Sequence, residues 1–223
     1  PDDPEAKAFR ETDISWEDWS VQNFTGIELW NALSELKTVV PTMLHGAFYA
    51  FFPSFVANQP IPATIARWDE LLSQGRRVVA IGGSDAHALH MSMGPISRII
   101  FPYEFHFRTV NTHVMLSEAL SGDANRDKKL IYEAMAEGHC FIGYDLPAST
   151  KNFRFTVQGK DASVSMGDEI PAKGGVTLQA KIPSLAEIRL LKDGNVIQTW
   201  KKQLSCAHIT TEPGVYRIEV YRH

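Results

Sequence analysis

The sequence is poor in cysteine, with only Cys140 and Cys206 among its 223 residues. A zinc site built from clustered cysteines is therefore excluded. The two residues fall in segments that we assign to different domains, so the sequence gives no support to a disulfide between them. We expect two buried thiols.

The sequence also lacks an excess of positive charge and any long apolar run. Its formal net charge is -4 and its basic residues are scattered, which argues against a nucleic-acid partner. The most apolar stretches, 39–44 and 48–55, are interrupted well before the roughly 20 residues that a membrane span needs. With 44% hydrophobic and 22% charged residues, the composition is that of an ordinary soluble globular protein.

Several familiar sequence signals are missing as well. The first residue is Pro1, with no initiator methionine and no charged, apolar leader, so we expect a fragment or a processed product that lacks an N-terminal segment. Cytoplasmic and exported locations both stay open. The sequence contains neither a Ser-His-Asp nucleophile elbow nor a phosphate-cradling glycine loop.

The first part of the chain alternates strand and helix signals. Apolar residues recur at helical spacing over 65–74, with Gly75 following as a C-cap. Residues 77–81 form a short apolar run without alternation, typical of a parallel strand buried on both faces. The predicted elements of this part are strands at 24–30, 77–81, 97–103 and 139–143 and helices at 65–74 and 128–137. Their order indicates an α/β domain over residues 1–148.

After Asn152 the pattern changes to short, closely spaced strands. The pair Asp193 and Gly194 predicts a hairpin, because a type I′ turn needs positive φ at both central positions and the flanking residues alternate. The strands predicted here are 153–157, 176–182, 187–192, 196–200 and 216–221. We therefore expect an all-β domain over residues 149–223, folded as a small β-sandwich.

The candidate site is the segment GGSDAH at residues 82–87, directly after a predicted strand. If the extended conformation persists, Asp85 and His87 project from the same face at an i, i+2 spacing that suits chelation. A carboxylate oxygen and an imidazole nitrogen suit zinc, manganese or iron, which activate water. The alternative is that Asp85 caps the following turn and His87 is an ordinary loop residue.

The motif and its context resemble the polymerase and histidinol phosphatase (PHP) superfamily. The segment 82–87 is similar to the last motif of that superfamily, and GIELWN at 26–31 is similar to its Gly-Ile-Glu-Val-Tyr-Asn element. The helical segments around 68–77 and 131–138 also resemble its helices. The resemblance spans about residues 1 to 145, and a barrel followed by a small immunoglobulin-like domain occurs in the carbaryl-hydrolase-like branch.

This resemblance implies part of a distorted (β/α)7 barrel of the PHP type, joined to the β-sandwich. It also implies a site with two or three divalent metal ions, where activated water attacks a small-molecule phosphoester or, in some branches, a carbamate or amide. Asp85 and His87 correspond to metal ligands of the superfamily. Its earlier histidines and acids precede the segment seen here, and a metal held by two protein ligands lacks the three or four donors of a stable site. We therefore expect this chain alone to be inactive, and its catalytic residues stay unknown.

Five further residues are candidates for substrate contact or for support of the metal ligands. Glu28 and Asn31 belong to the matched 26–31 element, where they order the mouth of the site, although Glu28 is also a ligand by type. His90 lies three residues beyond His87, and His45 precedes an aromatic run against which it packs by default. Arg108 is suited to pair with a phosphate, unless it is a solvated surface residue.

The stretch 105–114 around Arg108, which includes His106 and His113, is expected to follow a strand and to shape the substrate rim.

Three functions remain open from the sequence. The first is a metal-dependent phosphoesterase, the second is a carbamate or amide hydrolase with the same site, and the third is a non-catalytic binding protein or scaffold.

Overall fold

The computed structural model describes residues 16, 18–39, 48, 52, 59–93 and 96–222. His45 lies outside these residues. The helices formed by the described residues are α1 (Ala32–Val39), α2 (Pro62–Ser73), α3 (Tyr103–His106) and α4 (Ala124–Ala136). The strands are β1 (Gly26–Asn31), β2 (Val79–Gly83), β3 (Leu89–Met93), β4 (Ile96–Ile100), β5 (Val110–Val114), β6 (Cys140–Tyr144), β7 (Arg154–Gln158), β8 (Ser163–Ser165), β9 (Val176–Lys192), β10 (Asn195–Thr210) and β11 (Tyr216–Tyr221).

The predicted (β/α)7 barrel is wrong. The structure is mostly β, with 40% strand and 19% helix. In the described part of the first 148 residues, the strands form three separate pairs: β1 with β2 in parallel, and β3 with β4 and β5 with β6 antiparallel. A barrel of this type needs a closed ring of parallel strands, each followed by a helix. Only the β1–β2 pair has the parallel arrangement, so these strands do not form such a ring.

The parallel pair is joined through α2, which packs beside it. Pro62 stands at the start of α2, where its missing N–H costs nothing, and Gly75 follows the helix with φ +75°, a conformation that favours glycine. The Trp68 indole N–H donates to the Val78 carbonyl oxygen at 2.8 Å. This bond ties the helix to the residue that precedes β2, which corresponds to the strand predicted at 77–81.

The end of β2 packs closely against the β5–β6 ribbon. The Thr112 hydroxyl accepts from the Gly82 amide at 2.9 Å and donates to the Gly82 carbonyl oxygen at 2.7 Å. A Cβ at Gly82 would lie 2.6 Å from Ile142 Cγ2 and 2.9 Å from Val110 Cγ1. Glycine is required at position 82 because any side chain there would collide with these atoms. The close contact fixes the position of the residues that follow Gly82.

The C-terminal strands form one hydrogen-bonded sheet, not the two facing sheets of the predicted sandwich. Its order is β10-β9-β7-β8, with β11 also paired to β9. The strands predicted at 176–182 and 187–192 are one strand of 17 residues, β9, and the one predicted at 196–200 continues to Thr210 in β10. A core of alternating residues lies under β9, where Ile188 is 0% and Leu190 1% exposed.

Two further sequence predictions concern cysteines and membrane crossing. Cys140 is buried and Cys206 is half-buried, and both are free thiols. Burial raises the pKa of each thiol above its ordinary value. Within the described ranges, no helix combines the length and the apolar character that a membrane crossing requires.

Candidate functional site

The candidate site lies where the two parallel strands end. Because β1 and β2 run in the same direction, their carboxyl ends meet at one edge, where Asn31 pairs with Gly83. Residues 84–88 leave β2 as a loop at this edge. Asp85 and His87 therefore stand beside the end of β1.

The side chains of Asp85 and His87 meet, although not through the extended backbone that the sequence predicts. Strand β2 ends at Gly83, and Asp85 adopts φ +48°, in the left-handed region that few non-glycine residues occupy. The loop turns at this residue and brings His87 Nε2 to 3.0 Å from Asp85 Oδ1. Both side chains are open to solvent, with 38% of Asp85 and 58% of His87 exposed.

Asp85 Oδ1 and His87 Nε2 are donor types that divalent ions bind, and they lie 3.0 Å apart, at the distance of a direct hydrogen bond. A tetrahedral ion such as zinc, with donors at about 2.0–2.2 Å, would hold the two atoms about 3.3–3.6 Å apart, so the side chains would separate slightly to admit an ion. Among the described residues, no group of three His, Cys, Asp or Glu side chains is positioned to hold a metal. The pair therefore fits as part of a donor set and does not complete one.

Glu28 and Asn31 order the neighbouring strand end. The Asn31 amide group donates to Glu28 Oε2 at 3.1 Å, and its oxygen accepts from the Ser34 backbone amide at 2.8 Å, at the start of α1. A Cβ at Gly83 would lie 2.9 Å from Glu28 Oε1, so this carboxylate lies directly against the end of β2. The structure brings Glu28 to the base of the loop, and its ordering role stays a prediction.

His90 and Arg108 are not brought into the Asp85–His87 pair. His90 is exposed on β3, opposite Ile99, and Arg108 is exposed just after α3. In the part of the chain that the structure describes, neither side chain hydrogen-bonds to Asp85 or His87. Their proposed substrate contacts stay predictions.

His106 is the residue at this site whose contact the sequence did not reveal. It ends α3, is 3% exposed, and places Nε2 3.3 Å from the His87 carbonyl oxygen. Burial lowers the pKa of His106 below its ordinary value. The sequence placed His106 only in a rim segment, because no local pattern shows that α3 folds back over the loop 84–87.

His113 belongs to a second polar cluster, on the other face of the β5–β6 ribbon. Its neighbour Thr112 faces β2, and adjacent strand residues point to opposite faces. His113 Nε2 lies 2.8 Å from Asp145 Oδ2 and 3.0 Å from Thr150 Oγ1. In a catalytic relay of acid, histidine and hydroxyl, the acid and the hydroxyl bind different ring nitrogens, whereas here both lie beside Nε2. The cluster therefore serves to hold in place the segment that leads to β7.

Asp145 is the centre of this second cluster. Its carboxylate accepts from the Thr150 amide and hydroxyl, both at 2.7 Å, and from Asn111 at 3.0 Å. Burial alone would raise the pKa of Asp145, but the bonds from Thr150 and His113 outweigh it and hold the pKa below its ordinary value.

Comparison with known proteins identified no relative of this chain. No protein-family model, curated protein or solved structure matches the chain.

Proposed function

We propose that the chain contributes to a metal-dependent hydrolase, in which Asp85 and His87 are two of the protein ligands of a divalent ion. The observation that carries this proposal is the 3.0 Å approach of Asp85 Oδ1 and His87 Nε2 at the carboxyl edge of a parallel strand pair. The resemblance of residues 82–87 to a PHP motif supports the same assignment. The proposal depends on this local geometry and not on a barrel.

The conformation of Asp85 is a second support. A non-glycine residue at φ +48° is disfavoured, and such strain persists only where the surroundings hold it. The left-handed conformation of Asp85 is part of the arrangement in which its carboxylate faces the His87 imidazole. The loop therefore keeps an unfavourable backbone conformation in the form that brings the two donors together.

The reaction that we propose is hydrolysis of a small-molecule phosphoester. When bound, a zinc, manganese or iron ion would polarise the substrate and activate water. The chain's own part is to hold the ion through Asp85 and His87, while Glu28 and Asn31 keep the end of β1 against the loop. Further donors are required beyond these two, because stable sites use three or four protein ligands.

Metal binding by the longest natural polypeptide that contains these residues tests the ligand assignment. Titration with Mn²⁺ or Zn²⁺, followed by calorimetry, is expected to show binding that Asp85→Ala and His87→Ala each weaken by about 10-fold or more. Asp161→Ala is the matched control, because Asp161 is an exposed carboxylate in the turn between β7 and β8 and its loss is expected to leave the affinity unchanged. Equal affinity in all four proteins would contradict the assignment.

Hydrolysis is tested on the longest natural polypeptide that contains these residues. We expect turnover of p-nitrophenyl phosphate that Asp85→Ala abolishes and Asp161→Ala preserves. Turnover of 1-naphthyl methylcarbamate with no phosphatase activity would replace the phosphoester by a carbamate. Metal binding without turnover of either substrate would favour a binding protein.

A further inference from the structure

His106 holds a central place behind the loop that carries the candidate ligands. The ring is 3% exposed and lies about 6 Å, centroid to centroid, from the rings of Phe101 and Phe105. Its Nε2 lies 3.3 Å from the carbonyl oxygen of His87, the second candidate ligand.

The two ring nitrogens have different surroundings, and these define the tautomer. Because Nε2 faces the carbonyl oxygen of His87, it carries the hydrogen and donates. Nδ1 is buried, and no described residue hydrogen-bonds to it. A buried acceptor without a partner is unfavourable, so a position that served only to fill the core would be better occupied by an apolar side chain. The Nε2–H bond is the feature that an apolar residue could not supply.

Asp85 is the residue of this loop whose backbone conformation most needs support from neighbouring groups. Asp85 is in the left-handed region, and a disfavoured backbone conformation of this kind is retained only where neighbouring contacts over-determine it. Donation to the His87 carbonyl group restrains the loop two residues after Asp85. This restraint helps to keep the Asp85 and His87 side chains turned toward each other.

We infer that His106 is a positioning residue for the proposed metal site, which holds the loop 84–87 so that Asp85 Oδ1 and His87 Nε2 face one ion. This inference rests on the proposed function for the identity of the ligand. It goes beyond the proposed function because it assigns a role to His106, which does not itself touch the metal ion. Groups that orient ligands from outside the coordination sphere commonly change metal affinity by about 10- to 100-fold.

Two substitutions separate positioning from mere filling of space. His106→Leu keeps an apolar volume among the aromatic rings and removes the donor. His106→Gln restores a donor, because its amide nitrogen extends about as far from the backbone as Nε2 of histidine. Leu178→Ala, in the core under β9, lowers stability without touching the loop and is the control for a general loss of stability.

Mn²⁺ affinity of the longest natural polypeptide that contains these residues is the first measurement. We expect His106→Leu to weaken binding by about 10- to 100-fold, His106→Gln to restore it to within about 3-fold, and Leu178→Ala to leave it unchanged at a temperature where all variants are folded. Equal affinity of the Leu variant and the wild type, or equal losses in the Leu and Gln variants, would overturn the inference.

Hydrogen–deuterium exchange of the metal-free chain is the second measurement, and it does not depend on metal binding. The amides of residues 84–88 are expected to exchange faster in His106→Leu than in the wild type, and at the wild-type rate in His106→Gln. If the wild type shows no Asp85-dependent binding of Mn²⁺, the proposed function fails and exchange alone decides whether His106 positions the loop. Unchanged exchange in the Leu variant would refute the positioning role.

Discussion

We expect the ion pair between Arg217 and Asp69 to be one of the main contacts that hold the C-terminal sheet against helix α2. Arg217, on β11, makes two hydrogen bonds to the Asp69 carboxylate, one of them Nη2 to Oδ2 at 3.2 Å, and its guanidinium lies 5.2 Å from the Trp68 ring centroid. The side chains are only 15% and 20% exposed. The perturbation is Arg217→Met, which keeps the aliphatic length and removes the charge.

The magnitude follows from the burial of the pair. Removing one partner of a fully buried pair costs about 3–5 kcal/mol, whereas an exposed pair contributes about 0–1 kcal/mol. Since Asp69 and Arg217 retain some contact with solvent, we expect a loss of about 2–3 kcal/mol. For a chain of this size each kcal/mol lowers Tm by about 2–4 °C, so the expected fall is about 4–12 °C.

Thermal and urea unfolding followed by circular dichroism would measure this loss. The matched control is Arg126→Met, which breaks the Arg126–Glu118 pair, whose side chains are 60% and 49% exposed. This control is expected to lower the free energy of unfolding much less than Arg217→Met does, because solvent screens an exposed pair. The double variant Asp69→Asn with Arg217→Met should lose less than the sum of the single losses. A loss for Arg217→Met no larger than that of the control would refute the reasoning.

Two further predictions concern the segment beside the site. Asp145→Asn is expected to cost about 1–3 kcal/mol at pH 7, because the carboxylate accepts charge-assisted bonds from Thr150, and urea unfolding would measure it. Because the folded pKa of Asp145 is lowered from 3.8, its contribution is complete above pH 3.8 and is lost as pH falls through the lowered value, so the variant and the wild type should converge there; a constant difference down to that pH would contradict this cause. Gly82→Ala is expected to destabilise by about 1–3 kcal/mol in the same assay, since its Cβ would clash with Ile142 and Val110, and stability equal to the wild type would show that the ribbon can move away.

The individual elements of the fold were largely predictable from local pattern. The helix predicted at 65–74 is α2, displaced by a turn toward Pro62, and the helix predicted at 128–137 is α4, which begins earlier because Asp123 caps it. The Asp123 side chain accepts from two backbone amides of the first turn. N-terminal capping residues lie outside the apolar stripe, so the stripe alone predicts a helix start that lies too far along the chain.

The pairing of the strands could not be read from the same pattern. A short apolar run such as β6 fits either a parallel or an antiparallel neighbour, and the resemblance supplied the barrel that the structure contradicts. Likewise, two strands separated by residues 183–186 were predicted where β9 is continuous. Strand continuity depends on the partner, and β10 pairs with β9 on both sides of this segment, at Ala186 and at Lys181, with a register shift between them.

At the candidate site, the sequence predicted which residues meet but not how they do so. Asp85 and His87 are close because Asp85 turns the chain, whereas an i, i+2 spacing in an extended strand was expected. Backbone conformation at a single non-glycine residue leaves almost no trace in sequence. His106 was equally hidden, because its contact with the loop joins residues 19 positions apart and is made to a backbone oxygen, which any residue type provides.

These contacts together bear on how the loop would bind a metal ion. Glu28 lies against Gly83 at the base of the loop, Thr112 fixes Gly82 before it, and His106 holds the carbonyl group of His87. The three restraints come from different elements, so the loss of one leaves the other two in place. Because ordering flexible groups on binding costs free energy, a loop ordered beforehand binds an ion more tightly than a mobile loop with the same ligands. The affinity that two donors can reach here therefore depends on this support as much as on the donors themselves.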